Sequence, residues 1–523
     1  MTVLLSFPLP PRGQRGALVA APLAGLTMAL AFPGTGWWPL GWIGPGLLFL
    51  LIRGAPPFSA ALRGWLFGVA CYAVTVWWVN ESMTVFGGLA PTLGEAITLL
   101  LAATMALFPA LFAGLTAKVA AGLGERVAFA TAPFLWVAGE FVRERLPDIG
   151  FPWARLGDTQ YRVTPVIQMA ELAGTEFLSF VMIAFGAAGA YAVVALGEGR
   201  RRDALAAGGV ALFFFGAPWL YGTARLAALD AESTGERLTV AALQGNIDQH
   251  RKWERDYAGV QLSIYEELTR EGVARGAALV VWPETAASWE VGRHPLFDQR
   301  MRLLSAATGV PLIFGAPAEE YDAAGKRSSY NRAWSLDPAG RMEYYDKVKL
   351  APFGEFVPFG RLLFFVRNVT TYIGDLRPGD RLAPLQAGPY RVGVQICFEA
   401  IFPAYSRRLV TDGAQLLAVI TNDSWFGRSP SSEQALAMAV MRGVENRVPV
   451  VRAAQSGVSA VVGADGRILD RKELFETGMA VATVKLRSPG DRLTLYTRGG
   501  ALFQWLAVAV SVAALVAARR RRG

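Results

Sequence analysis

The chain has 523 residues, of which 53% are hydrophobic and 18% are charged, and its mean hydropathy is +0.32. This composition is too apolar for a soluble two-domain enzyme of ordinary composition. The net charge of +9 at pH 7 comes partly from seven arginines in two tracts beside apolar stretches, 200–202 and 519–522. Because no zinc-finger spacing, helix-turn-helix pattern or aromatic-basic platform is present, we predict a membrane protein with no nucleic-acid partner.

Apolar stretches dominate the first 225 residues, and several approach the ~20 residues that cross a bilayer. Seven can be read, at 16–32, 37–52, 58–79, 92–117, 127–142, 163–197 and 205–223, and an eighth lies at about 500–518. Any one stretch could be a buried core helix, but seven in succession predict a polytopic α-helical membrane domain. We therefore expect about eight transmembrane helices, in a transmembrane domain over 1–225 and a final helix with a basic tail over 498–523.

Basic residues lie in alternate loops between the apolar stretches, and this pattern predicts how the chain is oriented in the membrane. They are Arg12, Arg15, Arg53, Arg63, Lys118, Arg126 and the tracts 200–202 and 519–522. The positive-inside rule places such loops in the cytoplasm. The loop 80–91 has no Lys or Arg, as an outside loop should, whereas 143–162 carries Arg143, Arg145, Arg155 and Arg162 and disagrees. The majority predicts that both termini are cytoplasmic and that the domain before the last span lies outside.

That outside domain, over 237–487, alternates apolar strand patterns with amphipathic helical patterns. The predicted strands are 238–247, 278–284, 311–315, 332–336, 390–397, 415–421, 449–454 and 459–462, and the predicted helices are 256–271, 296–307, 402–411 and 431–446. This alternation predicts an α/β layered domain.

A cysteine ends one of these strands. Cys397 follows an alternating apolar run, whereas the only other cysteine, Cys71, lies in the third apolar stretch. Taken alone, a free cysteine in such a run is more often an inert core residue than a catalyst. A disulfide between the two is not expected, so a lone thiol would stand in an oxidising compartment, where it needs a functional reason.

Two other segments can serve that thiol. Glu284 ends the strand pattern 278–284, and 346–355 supplies Lys347, Lys349 and Glu355. A thiol is only a few per cent ionised at pH 7, so a carboxylate base that takes its proton would help it to attack. An ammonium group would stabilise the oxyanion of an attacked carbonyl. Glutamate, lysine and cysteine in this order therefore suggest covalent acyl chemistry.

Other kinds of catalytic site have less support. Only His250 and His294 are present, neither in a metal-ligand spacing and neither beside a GxSxG motif. Zinc hydrolysis and a Ser-His-Asp triad are therefore not favoured. We expect no metal and no cofactor.

The three segments resemble the nitrilase superfamily, and the match includes Pro283 and the run 352–355. The resemblance implies an α/β nitrilase-like αββα sandwich with its site at the carboxyl ends of strands. It also implies roles for six residues: Glu284 as general base, Lys347 as oxyanion stabiliser, Cys397 as nucleophile, Glu355 in support, and Phe398 and Glu399 at the substrate. Either Glu355 or Glu399 could instead be a structural salt-bridge partner. Trp253 and Asn331 are assigned to the substrate pocket because their segments resemble those of a membrane acyltransferase family. Lys347 is preferred to Lys349 because it matches the family's lysine when 352–355 is the anchor.

Spans, an outside nitrilase-like domain and a closing span together resemble the apolipoprotein N-acyltransferase family of the bacterial inner membrane. This implies transfer of an acyl chain from a phospholipid, typically phosphatidylethanolamine, through a thioester on Cys397. The acceptor would be the α-amine of the diacylglyceryl-cysteine of an apolipoprotein, on the periplasmic side of the bilayer. A membrane-anchored nitrilase-type amidase that passes the acyl group of the thioester to water is the alternative.

Two apolar loops, 286–300 and 353–373, are candidate lids over the substrate pocket. Phe364 and Phe365 are the candidate contact residues of the second loop.

Overall fold

The computed structural model describes residues 12–232, 235–359 and 376–521, and every side chain within them except those of residues 12–15 and 255. Most of the second candidate lid, including Phe364 and Phe365, therefore lies outside the described residues, as does Arg522 of the basic tail.

The chain begins with helices that form one bundle. These are α1 (Arg12–Ala29), α2 (Leu40–Ile52), α3 (Pro57–Thr75), α4 (Trp78–Glu81), α5 (Pro91–Met105), α6 (Leu107–Leu123), α7 (Glu125–Glu144), α8 (Thr164–Ile167), α9 (Ala170–Ala173), α10 (Thr175–Gly197) and α11 (Arg201–Ala231). A π-helical turn covers Ser82–Phe86 and a 3-10 turn covers Leu156–Gln160. At the end of the described chain, the short helix α16 (Leu495–Gly499) precedes α17 (Leu502–Arg520), and α17 returns to pack against α6 and α7.

Within residues 12–232, 235–359 and 376–521, five helical stretches are long and apolar enough to cross a membrane. They are Pro57–Thr75, Pro91–Leu123, Thr175–Gly197, Arg201–Ala231 and Leu502–Arg520. Helices α1 and α2 are apolar but shorter, and α7 does not reach the same hydropathy over its length. A membrane domain is thus indicated, while the number of eight spans stays a prediction.

The second part of the chain contains two sheets of six strands each. Sheet one has the order β12-β1-β2-β3-β4-β5 and sheet two the order β11-β10-β9-β8-β7-β6. Their strands are β1 (Arg237–Gln244), β2 (Leu279–Val281), β3 (Leu312–Tyr321), β4 (Arg327–Leu336), β5 (Met342–Asp346), β6 (Leu385–Ala387), β7 (Tyr390–Ile396), β8 (Leu416–Thr421), β9 (Val450–Ala454), β10 (Ser459–Val462), β11 (Ile468–Lys472) and β12 (Gly478–Lys485). In each sheet three central strands are parallel, β1-β2-β3 and β7-β8-β9, and the outer pairs are antiparallel.

Two pairs of helices cover the outer faces of the sheets. They are α12 (Arg255–Ala274) and α13 (Pro295–Thr308) on sheet one, and α14 (Pro403–Thr411) and α15 (Ser431–Asn446) on sheet two. Apolar side chains of the two sheets pack against each other in the space between the sheets. They include Val281, Ile313, Val394 and Ile420, all at most 1% exposed. Each such side chain adds roughly 1.5–3 kcal/mol of burial free energy. The expected αββα sandwich is therefore present.

Helix α15 joins the sandwich to the bundle. It packs on sheet two, while Gln434 near its start accepts hydrogen bonds from the indoles of Trp78 (3.1 Å) and Trp153 (2.5 Å) of the bundle. Near its end, Glu445 accepts from the backbone N and hydroxyl of Thr175, at 2.9 and 2.6 Å. One continuous hydrophobic cluster runs from the bundle through α15 into sheet two.

The opposite end of the bundle is held by ion pairs among three loops. Arg53 pairs with Glu125 and Glu198, and Asp203 pairs with Arg126 and Arg200. These loops follow α2, α6 and α10, which are the loops that the charge pattern assigns to one side. We call this the ion-paired end, and the end that contacts the sandwich the domain end.

The arginines of 143–162, which disagreed with that pattern, lie at the domain end and are engaged by protein groups. Arg143, 3% exposed, donates to the hydroxyl of Tyr72 and to the carbonyl of Trp153, both at 2.9 Å. Arg155, 1% exposed, pairs with Glu176 (3.3 Å) and a neighbouring aspartate. Arg145 and Arg162 pair with Glu144 and Glu433. Because these arginines have protein partners, their charges can be explained by the fold as well as by the orientation of the chain.

Candidate functional site

The central side chains of the site leave the carboxyl ends of strands. Glu284 follows β2, Lys347 follows β5 directly, and Cys397 follows β7 directly. In the αββα arrangement these strand ends meet at one edge, so residues more than 100 positions apart in sequence come together. The structure thereby places the predicted glutamate, lysine and cysteine in one site.

The turn that carries Glu284 is tightly constrained. Thr285, the next residue, has a left-handed φ of +44°. A Cβ atom on Gly315 of β3 would lie 2.5 Å from the Thr285 nitrogen and 2.8 Å from the Glu284 Cα. Glycine at 315 therefore lets β3 approach the turn closely, and this approach fixes the carboxylate's backbone.

Cys397 also has a left-handed backbone, with φ +52°, between β7 and the 3-10 turn Cys397–Ile401. Non-glycine residues seldom adopt this region, and such strain is typical of functional turns. Although the residue keeps some exposed surface, desolvation of its sulfur raises the pKa of the Cys397 thiol to about 12. The charge of Glu284 adds to this effect and that of Lys347 opposes it. This favours a neutral Cys397 thiol at rest.

Lys347 is buried between two carboxylates. Its side chain is 2% exposed, and its Nζ lies 2.8 Å from Glu355 Oε1 and 3.7 Å from Glu284 Oε1. Burial disfavours its charge, but the carboxylates of Glu355 and Glu284 outweigh this, and the pKa of Lys347 is raised. The Lys347 ammonium group therefore stays charged beside the Cys397 thiol. Lys349 points elsewhere, with its Nζ 5.5 Å from the ring of Phe402.

Asn331 of β4 clamps the two carboxylates. Its Nδ2 donates to Glu284 Oε1 at 2.6 Å and to Glu355 Oε1 at 3.1 Å. The other Glu284 oxygen accepts from the backbone N of Asn422 at 2.8 Å. Asn331 Oδ1 is buried and has no hydrogen-bond partner. Both oxygens of the base are thus oriented, and one buried acceptor remains free.

Glu355 and Glu399 hold the loops around the lysine. Glu355 Oε2 accepts from the backbone N of Ala351 at 2.7 Å. Glu399 is fully buried, and both its oxygens accept from the protein. Its donors are the hydroxyl of Tyr345 (2.6 Å) and the backbone N atoms of Val348 (2.7 Å), Lys349 (3.1 Å) and Ile396 (2.8 Å). Glu399 therefore ties the lysine turn to the cysteine turn, rather than offering a free oxygen to a substrate.

Phe398 and Trp253 lie at the border of the site, the first packed against the bundle and the second exposed. The ring of Phe398 lies parallel to that of Phe151, with centroids 6.4 Å apart, and Phe151 stacks on Trp153 at 5.7 Å. Both partners belong to a bundle loop, so the residue after the nucleophile touches the membrane domain. Trp253 is 54% exposed. Sequence reasoning passed over Thr285, although it directly follows the predicted strand 278–284.

No group of three or more His, Cys, Asp or Glu side chains that could hold a metal ion occurs in residues 12–232, 235–359 and 376–521. The chemistry available at the site is that of one thiol, one carboxylate base and one fixed ammonium group. A carbonyl attacked by the sulfur could form a covalent acyl intermediate stabilised by Lys347.

The fold and this trio of side chains define a carbon-nitrogen hydrolase domain of the nitrilase type. The Carbon-nitrogen hydrolase family model matches residues 239–490, and the Apolipoprotein N-acyltransferase N-terminal domain model matches residues 24–188. The chain belongs to the apolipoprotein N-acyltransferase family, because relatives that align over nearly its whole length and are at least 30% identical carry this name.

Three of these relatives come from different bacteria. The protein of Geobacter metallireducens is 37% identical and covers 97% of this chain and 96% of itself. Those of Pseudomonas syringae pv. tomato and Vibrio cholerae are 34% and 30% identical, with 92% and 95% of this chain covered and 93% and 96% of their own. A solved amidase from Nesterenkonia sp. AN1 is 20% identical and covers 50% of this chain and 96% of itself, at a TM-score of 0.36, too low to support a conclusion.

Proposed function

We propose that this chain transfers an acyl chain from a phospholipid to the α-amino group of the diacylglyceryl-cysteine of an apolipoprotein. The observation that carries the proposal is the position of the nucleophile. Cys397 stands beside Glu284 and Lys347, and its neighbour Phe398 stacks on a loop of the bundle. A thiol at the junction of bundle and sandwich can reach esters that a bilayer holds.

The first half-reaction would form a thioester. Glu284 takes the proton of the Cys397 thiol as the sulfur attacks the ester carbonyl of the phospholipid. The oxyanion forms near the Lys347 ammonium, which is already charged and needs no rearrangement. Collapse breaks the ester C–O bond, and Glu284 returns the proton to the leaving alkoxide. A lysophospholipid departs, and Cys397 carries the acyl chain.

The second half-reaction would discharge the thioester onto an amine. The neutral α-amine attacks the thioester carbonyl, Glu284 takes a proton from the nitrogen, and the C–S bond breaks. The departing sulfur regains a proton from Glu284, which restores the resting site. The free Oδ1 of Asn331 would accept a hydrogen bond from the incoming amine, which is why we assign Asn331 to substrate binding.

The remaining assignments follow the same geometry. Glu355 fixes Lys347, Glu399 positions both turns, and Phe398 and Trp253 border the bound lipids. Phosphatidylethanolamine is the donor that the family resemblance favours. The enzyme would lie in the bacterial inner membrane with both termini cytoplasmic and the sandwich periplasmic. The basic loops meet at the ion-paired end, opposite the sandwich, which supports this orientation.

An amidase that passes the acyl group to water is the rival function. Purified enzyme in vesicles of phosphatidylethanolamine should acylate a diacylated lipopeptide with a free α-amine, and mass spectrometry of the peptide measures the product. The matched control is the same lipopeptide with its α-amine acetylated. We expect product and lysophospholipid in equal amounts with the free amine only. Free fatty acid released at the same rate with either peptide would favour the hydrolase.

A further inference from the structure

A second lysine is buried beside the catalytic base. Lys252 is fully buried, and its Nζ donates to the Thr285 hydroxyl at 2.6 Å. Within the described part of the chain, its Nζ lies within 4.0 Å of no carboxylate oxygen. A buried ammonium group with one hydroxyl acceptor is costly, so this residue opposes stability where it stands.

The backbone around Lys252 directs its side chain at Thr285. The Lys252 N donates to the carbonyl of Asp248 at 2.9 Å. Its own carbonyl accepts from Gln261 Nε2 at 2.6 Å and from the Ser288 hydroxyl at 2.7 Å. Segments on both sides therefore hold the lysine in place. These three backbone hydrogen bonds fix the position of Lys252, so its burial is part of the fold.

Its target is the residue that sets the direction of Glu284. Thr285 has the left-handed φ of +44° and is pressed against Gly315. A hydrogen bond on the Thr285 side chain therefore adds a second restraint on the turn. Glu284 lies 3.7 Å from the Lys347 Nζ and is joined, through Thr285, to Lys252.

Few groups affect the pKa of Lys252. Burial lowers the pKa of Lys252 to about 7, and the charge of Glu284 is the one that opposes this. Gln261 of α12 and Ser288 of the loop after β2 bond the backbone carbonyl of Lys252, and the ring of Trp253 lies with its centroid 5.7 Å from the Lys252 Nζ. Asp248 and Arg251 of its own segment are exposed.

We propose that Lys252 is a positioning residue for the acyl-transfer reaction: its side-chain amine holds the Thr285 turn and thereby keeps Glu284 aimed at the Cys397 thiol. The proposal deepens the proposed function and rests on it, because it concerns the proton transfer that starts thioester formation. It adds a second cation to the site without contact with either substrate.

The pKa of Lys252 gives the stability of the protein a defined dependence on pH. Because the unfolded state binds the lysine proton more tightly between about pH 7 and 10.4, the wild-type protein should gain stability as pH rises through that window.

The test uses Lys252→Met in the full-length enzyme, with Thr285→Val, which keeps the lysine and removes its acceptor, and Lys252→Arg, which keeps the charge. The rate of thioester formation on Cys397 from phosphatidylethanolamine is followed by intact mass across about pH 5 to 9, beside apparent Tm. For Lys252→Met we expect a loss of about tenfold or more, because a misplaced base loses part of the roughly 10²–10⁴-fold contribution of general base catalysis. Apparent Tm should be unchanged or higher at pH 7, and the difference from wild type should shrink toward pH 10.

Lys252→Arg, which can still donate to Thr285, should keep more of the rate than Lys252→Met. Thr285→Val, which loses the same hydrogen bond, should lower the rate about as much as Lys252→Met. A rate for Lys252→Met within twofold of wild type would overturn the proposal. So would a rate loss that accompanies a lower apparent Tm. Wild type that forms no thioester under these conditions would instead refute the proposed function.

Discussion

At the scale of residues, the site depends on two strained turns that aim two side chains at each other. Thr285 and Cys397 both have left-handed backbones, and each follows a buried strand. Such a residue costs of order 1–3 kcal/mol unless its surroundings over-determine it. Here Gly315 allows the close approach at one turn, and Glu399 holds the other through Ile396.

The buried thiol predicts an unusual pH dependence of labelling. With the pKa of Cys397 raised to about 12, the thiolate is scarce at neutral pH, and its fraction should rise about tenfold per pH unit without a plateau below pH 9. In a Cys71→Ala background Cys397 is the sole cysteine. The rate of iodoacetamide labelling, measured by intact mass, should follow this slope, and Glu284→Gln should not flatten it. A plateau with a midpoint between pH 5 and 8 would show a thiolate stabilised at rest.

Glu284 and Cys397 could be proposed as site residues from sequence because each ends a predicted apolar strand, whereas Lys347 was proposed from the family resemblance. The hydrogen bonds of Asn331 could not be worked out from sequence, because they depend on how β4 lies beside the turn after β2. The resemblance implied a substrate contact for Glu399, but the packing of two loops around it decides that its oxygens face backbone amides.

At the scale of elements, α15 has two packing faces. Fourteen of its 16 residues are buried, far more than one sheet could cover. The sequence pattern predicted the helix over 431–446 but not that it also packs against the bundle. A helix that is apolar on most sides does not show which face contacts which neighbour. The weakly alternating β11 and β12, with exposed or half-buried residues, were missed for the opposite reason.

The charges within α15 predict a stability effect. Arg442 is fully buried and donates to Glu445 at 2.7 Å and to the Thr175 hydroxyl at 3.1 Å. Arg442→Met would leave Glu445 unpaired, which typically costs about 3–5 kcal/mol. The apparent Tm of the detergent-solubilised enzyme should fall clearly. The double variant with Glu445→Gln should recover much of the loss, whereas an equal Tm for both variants would show that the pair is not coupled.

At the scale of the whole molecule, bundle and sandwich share one hydrophobic cluster, so the catalytic domain is built onto the membrane domain and not merely tethered to it. Composition predicted the two parts and their order. It could not predict how the two parts join, because the sequence does not show which groups the buried arginines of the loop 143–162 contact.

The proposed orientation can be measured directly. In a Cys71→Ala, Cys397→Ala background, Ala324→Cys places a thiol in the exposed turn between β3 and β4, and Arg521→Cys places one after α17. A membrane-impermeant maleimide added to spheroplasts should label the first and spare the second until the membrane is permeabilised. The reverse pattern would place the sandwich in the cytoplasm and contradict the proposed topology.

The most direct test of the central claim is the covalent intermediate. Purified wild-type enzyme, Cys397→Ala and Glu284→Gln would each be incubated with phosphatidylethanolamine and measured by intact mass spectrometry, before and after hydroxylamine. We predict one acyl adduct on the wild type that hydroxylamine removes, none on Cys397→Ala, and a strongly slowed adduct on Glu284→Gln. An adduct that persists in Cys397→Ala, or that resists hydroxylamine, would place the acyl group on another residue and contradict the account.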